Sequence, residues 1–162
     1  MTSRSAPPRK FLVIADGSAE FAAALRFACR RARSTGGKVA ILRVITPAVF
    51  EHWSGVRDEI ERQARAEAAE EMKAYEPLVL TETGAPPELL FLRADDTREA
   101  LRRAIGADRD IKILVLAAAT GARGPGPLVA SIAREGVRWG GRNLPVTVVP
   151  GDLSEAEIDD LA

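Results

Sequence analysis

Two short stretches of this 162-residue chain have residue types that could hold a ligand. Asp16-Gly17-Ser18 follows an apolar run at 11–15. Gly121-Ala122-Arg123-Gly124-Pro125-Gly126-Pro127 follows another at 111–116, after a short alanine-rich link. A carboxylate accepts hydrogen bonds from ribose hydroxyls or an adenine amine. Glycine lets the backbone approach a phosphate closely, and the amides opening a helix then donate to its oxygens. An acid at one strand exit and a glycine loop at another therefore suit nucleotide binding. Each stretch also has a plain reading, as a turn with a helix cap or as a surface connection. The glycine run does not end in Gly-Lys-Ser/Thr, and the first turn lacks GxGxxG, so neither the P-loop nor the dinucleotide fingerprint is present.

Other chemistry is thinly represented. His52 is the only histidine and Cys29 the only cysteine. A zinc site would need more nitrogen or sulfur ligands than these. A hydrolytic triad would need His52 to meet a serine and an acid that no motif identifies. Cys29 sits among apolar residues on a helical pattern and reads as a small core residue.

The elements that must position these residues are legible from periodicity. The run at 11–15 has no polar alternation, which suits a strand covered on both faces. Ser18 is expected to cap a helix whose apolar stripe is Phe21, Leu25, Ala28, Cys29 and Ala32. Gly36-Gly37 ends that helix. Residues 39–45 form the second strand. A loop with Phe50, His52 and Trp53 leads to a long helix at about 56–75 with Ile60, Ala64, Ala68 and Met72 inward, stopped by Pro77. Residues 88–93 are the third strand, and Asp96 and Glu99 have capping-box spacing before a short helix. Residues 111–116 are the fourth strand, 128–139 the fourth helix and 146–149 the last strand, set between Pro145 and Pro150. The opening strand-helix-strand unit implies parallel pairing with a right-handed crossover. The whole pattern is a single doubly wound α/β domain with helices on both faces of its sheet. Such sheets bind ligands at the carboxyl ends of their strands, where strand order reverses. The exits of strands one and four are the places to inspect.

Composition sets the outer limits. Lys+Arg and Asp+Glu are 23 each, for a formal net charge of +0, which excludes nucleic-acid binding by bulk charge. Residues 1–9 read as a flexible polar segment, 10–150 as the domain and 151–162 as an acidic tail, in which Ser154 and Glu157 have capping-box spacing. No apolar stretch is long enough to export the chain or anchor it in a membrane, so a cytoplasmic location is expected.

These motifs together resemble the universal stress protein family. The matching residues are FLVIADGS at the first strand, VAILRVITP at the second, ILVLAAATGARG at the fourth and LPVTVVP at the last. The resemblance covers residues 10–150. It implies a five-stranded parallel sheet of order 3-2-1-4-5 in small cytoplasmic proteins, typically homodimers, linked to survival under stress. One branch of the family binds ATP and another does not. The ATP-binding branch carries G-x2-G-x9-G-[ST] after strand four. Gly121 and Gly124 match its first two glycines, but nine residues further lie Arg134 and Glu135, and the nearest small-Ser pair is Ala130-Ser131. Pro125 and Pro127 lack amide donors, which weakens a backbone phosphate cradle. Asp16 matches the family's acid near the base, and Val44 resembles a residue lining the adenine site.

The nucleotide-binding candidates are therefore Asp16, Val44, Gly121, Gly124 and Ser131, with ATP or AMP as the implied ligand. If one binds, the base and ribose are expected to carry more of the affinity than the phosphates. The segment 121–142 also holds Arg123, Arg134, Arg138 and Arg142. Arg123 is a candidate anion anchor; the plain reading of all four is solvated helix charge. Two functions are compatible with these residues. The first is a stress protein that binds an adenine nucleotide without strong turnover. The second is a dimeric interaction protein of the same fold that binds none. In either case the homodimer is expected to form through Val146, Thr147, Val148 and Val149, an edge strand in the implied order.

Overall fold

The computed structural model describes residues 5–47 and 54–162, with Ser54 described through its backbone alone. The expected loop residues Phe50, His52 and Trp53 lie outside this set. The elements are β1 (Lys10–Ile14), α1 (Phe21–Thr35), β2 (Lys38–Ile45), α2 (Ser54–Lys73), α3 (Glu76–Thr83), β3 (Glu88–Arg93), α4 (Thr97–Ala107), β4 (Ile111–Ala118), α5 (Pro127–Glu135), β5 (Arg138–Trp139), β6 (Arg142–Asn143), β7 (Val146–Pro150) and α6 (Glu155–Leu161). Five strands form one parallel sheet in the order β3-β2-β1-β4-β7. This is the expected order, since β5 and β6 form a separate antiparallel pair.

The apolar run of β1 divides between two cores because successive side chains point to opposite faces. Phe11 and Val13 pack with Phe21, Leu25, Cys29, Met72, Val79 and Ile158 on one face. Leu12 packs with Leu42, Leu101, Ile105, Leu114 and Trp139 on the other. Burial pushes the Cys29 thiol up to about 12, which leaves it a protonated core residue. After α1 the chain turns through Gly36 (φ +67°) into Gly37. A Cβ at Gly37 would stand 2.7 Å from the Arg9 carbonyl oxygen, so only glycine lets β2 begin beside the residue before β1.

Four expectations change. Ser18 does not cap α1. The helix starts at Phe21 with Glu20 at its N-cap, and the Ser18 amide donates to the Asp16 carboxylate at 2.9 Å. Pro77 ends nothing: α2 has already stopped at Lys73, and Pro77 sits in the first turn of α3, where its missing N–H costs no helical bond. Ile60 is 37% exposed, because the first half of α2 meets the sheet through Glu61–Arg93 (2.9 Å) and Arg65 over Phe91 rather than through an apolar stripe. The fourth expected helix, 128–139, breaks at Gly136 (φ +79°). Residues 138–143 instead form the β5–β6 hairpin around Gly140 and Gly141, at φ +54° and +84°. Two left-handed residues are what a two-residue hairpin turn requires.

The two capping-box expectations hold with one refinement. Asp96 accepts from the Glu99 amide at 2.7 Å, and the Glu99 carboxylate reaches Asp95 N–H rather than Asp96. Ser154 and Glu157 form the full reciprocal box. Below it, Ile158 is buried against α1, and Glu155 and Asp159 pair with Arg26 and Arg30.

Candidate functional site

The site is built where β1, β2, β3 and β4 end. Beyond β1, the Ala15 amide bonds to Leu42 O (2.9 Å), and Gly17 takes φ +76° to complete the turn closed by Asp16 and Ser18. That turn uses one carboxylate oxygen of Asp16, which stands exposed at the strand exit. Arg43, near the end of β2, donates to the Ala15 carbonyl (3.0 Å) and pairs with Glu71 (3.2 Å). Val44 follows it, half-buried. At the end of β3, Ala94 bonds back to Ile45, and Asp95 and Asp96 lead into α4.

A cavity of about 710 Å³ opens among these exits, within the range of ligand pockets. Its wall includes Asp16, Val44, Thr46, Arg98, Arg102 and Ser131. A second cavity of about 300 Å³ adjoins it beneath the glycine-proline loop, sharing Ile14, Asp16, Thr97, Pro127 and Leu128. Three of the sequence candidates, Asp16, Val44 and Ser131, thus face one space. Gly121, Arg123 and Gly124 line neither cavity. Their loop is closed on itself: Gly124 N–H donates to Gly121 O (3.1 Å) and Ala119 N–H to Pro125 O (3.3 Å).

Arg98 was invisible to motif reading and is the most connected side chain at the site. Its guanidinium donates to Ser131 Oγ (3.2 Å) and Gly136 O (3.1 Å), pairs with Glu135 (2.9 Å) and lies 4.7 Å from the centroid of the Trp139 ring. Ser131 in turn donates to Leu128 O (2.9 Å), so its hydroxyl is engaged on both sides. Arg142, one of the four arginines of segment 121–142 with a plain reading as solvated helix charge, is instead part-buried and donates to the carbonyls of Ile105, Asp108, Arg109 and Ile111. Arg102 is the cation on the main cavity wall that has no carboxylate partner among the described residues. The signal that could have found this wall was the acid cap at the exit of β3, which brings the first turns of α4 to the same end as Asp16. Among the described residues no three His, Cys, Asp or Glu side chains gather as a metal would need, and no helix is long and apolar enough to cross a membrane.

A model of the universal stress protein family matches residues 8–156. The chain belongs to that family. No curated protein matches it in sequence. The fold is similar to solved universal stress proteins. Universal stress protein UspA from Lactobacillus plantarum superimposes with a TM-score of 0.68 at 17% identity, covering 90% of this chain and 99% of that one. The universal stress protein from Archaeoglobus fulgidus in complex with dAMP gives 0.52 at 23% identity, covering 87% and 97%. A universal stress protein in complex with cAMP gives 0.56 at 16% identity, covering 91% and 100%.

Proposed function

We propose that this universal stress protein binds an adenine nucleotide in the main cavity and does not turn it over. The observation that carries the reading is the convergence of Asp16 and Val44 on one ligand-sized space at the strand exits. Asp16 keeps one oxygen for a ribose hydroxyl or the adenine amine, and Val44 offers an apolar face to a base. The dAMP and cAMP complexes of structurally similar proteins support the ligand class. Two carboxylates of the main cavity are already occupied in holding structure, Asp96 as a cap and Glu135 in its ion pair, so neither is free to act as a base for phosphoryl transfer. Calorimetry with AMP is expected to show binding that Asp16→Ala weakens about tenfold, roughly 1.4 kcal/mol. A cleaned preparation is expected to release no phosphate from ATP. Absence of AMP binding at millimolar concentration would end this reading and favour the interaction protein. That second reading is supported by Gly121, Arg123 and Gly124 standing outside both cavities.

We infer that the protein is a homodimer joined through β7. β7 is an edge of the sheet and its Val148 is 41% exposed. Gly151 N–H and Pro145 C=O bond to β4, and backbone direction alternates along a strand. Odd-numbered residues of β7 therefore face β4, and the Val148 N–H faces outward. Val148→Pro removes a donor from the open edge while sparing the bonds to β4. Solution mass is expected to be that of a dimer for the wild type at tens of micromolar and to fall toward a monomer in the variant. A wild-type monomer, or an unchanged variant dimer, would remove β7 from the interface.

A further inference from the structure

We propose that the second cavity makes this site discriminate against polyphosphates, so that adenosine binds more tightly than ATP, and that Glu20 is a main determinant of that preference. The proposal rests on the adenine reading above and specifies its ligand. The second cavity lies under the glycine-proline loop and shares Asp16 with the main cavity, so it is the space that phosphates would enter if they ran from a ribose at Asp16 toward that loop. Its wall is largely apolar, with Val115, Leu116, Pro125, Leu128 and Val129. Its charged residues are Asp16 and Glu20, and no basic side chain among the described residues lines it. A chain of phosphates placed there would lose its water, meet like charge and gain no cation, each of which opposes binding. The backbone compensates poorly. Pro125 and Pro127 have no N–H, so the start of α5 offers three amides, those of Gly126, Leu128 and Val129, where a proline-free start would offer four. Within the main cavity Arg43 and Arg98 are held by Glu71 and Glu135. Arg102 shares the cavity wall with Asp16, Asp95 and Asp96, a balance that suits at most a small negative charge on the ligand.

Glu20 is fixed in this role by packing. It occupies the N-cap position of α1, and a Cβ on Gly151 would fall 2.5 Å from the Glu20 Cβ, so the Glu20 stem lies directly against the Gly151 backbone. Glu20 has no ion-pair partner among the described residues. Lysine keeps the Cβ and Cγ atoms that touch Gly151 and reverses the charge, so Glu20→Lys tests the charge while preserving that contact. Glu20→Gln, neutral and of the same shape, is the control for folding.

The experiment is calorimetry of adenosine and ATP in near-physiological salt with magnesium present, on the wild type and both variants. The wild type is expected to bind adenosine at least tenfold more tightly than ATP. Glu20→Gln should narrow that ratio, and Glu20→Lys should narrow it at least fivefold. ATP binding as tightly as adenosine to the wild type would overturn the preference while leaving the adenine site standing. A ratio unmoved in Glu20→Lys and Glu20→Gln would remove Glu20 from the role. If neither ligand binds, the adenine reading falls and this inference with it.

Discussion

Trp139→Ala is expected to lower the free energy of unfolding by about 3–5 kcal/mol, the usual cost of emptying a large aromatic site in a core. Trp139 is fully buried in the second core although it belongs to a two-residue strand. It anchors the β5–β6 hairpin beneath α4, and its ring is the floor on which the Arg98 guanidinium rests. The truncation removes apolar contact and the cation–π partner together. Trp139→Phe should cost less than half as much, because the indole Nε1 has no hydrogen-bond partner and its removal strands nothing. Urea unfolding of the three proteins checks both statements. A loss below about 1 kcal/mol for Trp139→Ala would mean that the hairpin is not a cooperative part of the domain.

Arg142→Met is expected to cost about 2–3 kcal/mol, in the range of hydrogen bonds to a charged group in a partly buried setting. The guanidinium reaches Ile105 O at 2.7 Å, Asp108 O at 3.0 Å, Arg109 O at 3.2 Å and Ile111 O at 2.8 Å. These carbonyls belong to the last turn of α4, the turn after it and the first residue of β4. One cation therefore satisfies the end of a helix, where carbonyls lack partners, and complements its dipole. Methionine keeps much of the stem's packing and removes every donor. Arg142→Lys should recover less than half of the loss, since an ammonium cannot reproduce a planar fork aimed at four acceptors. Denaturant midpoints for both variants decide this, and a lysine variant equal to the wild type would reduce the role to charge alone.

Much of the fold was legible because the five sheet strands are short, mostly apolar runs bounded by turn residues, the pattern of a sheet covered on both faces. Asp96 and Ser154 were legible as caps because capping is a matter of three-residue spacing. The β5–β6 hairpin was not. Val137 and Trp139 continue the apolar spacing of α5, so periodicity alone extends the helix through them. The contrary signal was Gly140-Gly141, a two-glycine turn of the kind that joins hairpin strands, and it outweighs helical periodicity over so few residues. α3 was obscured by reading Pro77 as a stop when proline is equally at home in a first turn. At the site, sequence pointed to Asp16, Val44 and Ser131 through the two strand exits. It did not single out Arg98 or Arg102, because Asp96 and Glu99 were read only as a capping box, and it is the place of β3 beside β2 that brings the start of α4 to the cavity at Asp16.

The central place of β1 also shapes how the chain comes off the ribosome. One edge of β1 is covered early, since β2 follows after a single helix. The other edge waits for β4, whose Ile111 pairs with Lys10 about 100 residues later. At roughly 5–20 residues per second, that is about 5–20 s during which the apolar central strand has an open edge in a growing chain. Nascent protein stalled between β3 and β4 should therefore be the form most prone to wrong strand pairing and most in need of chaperone cover.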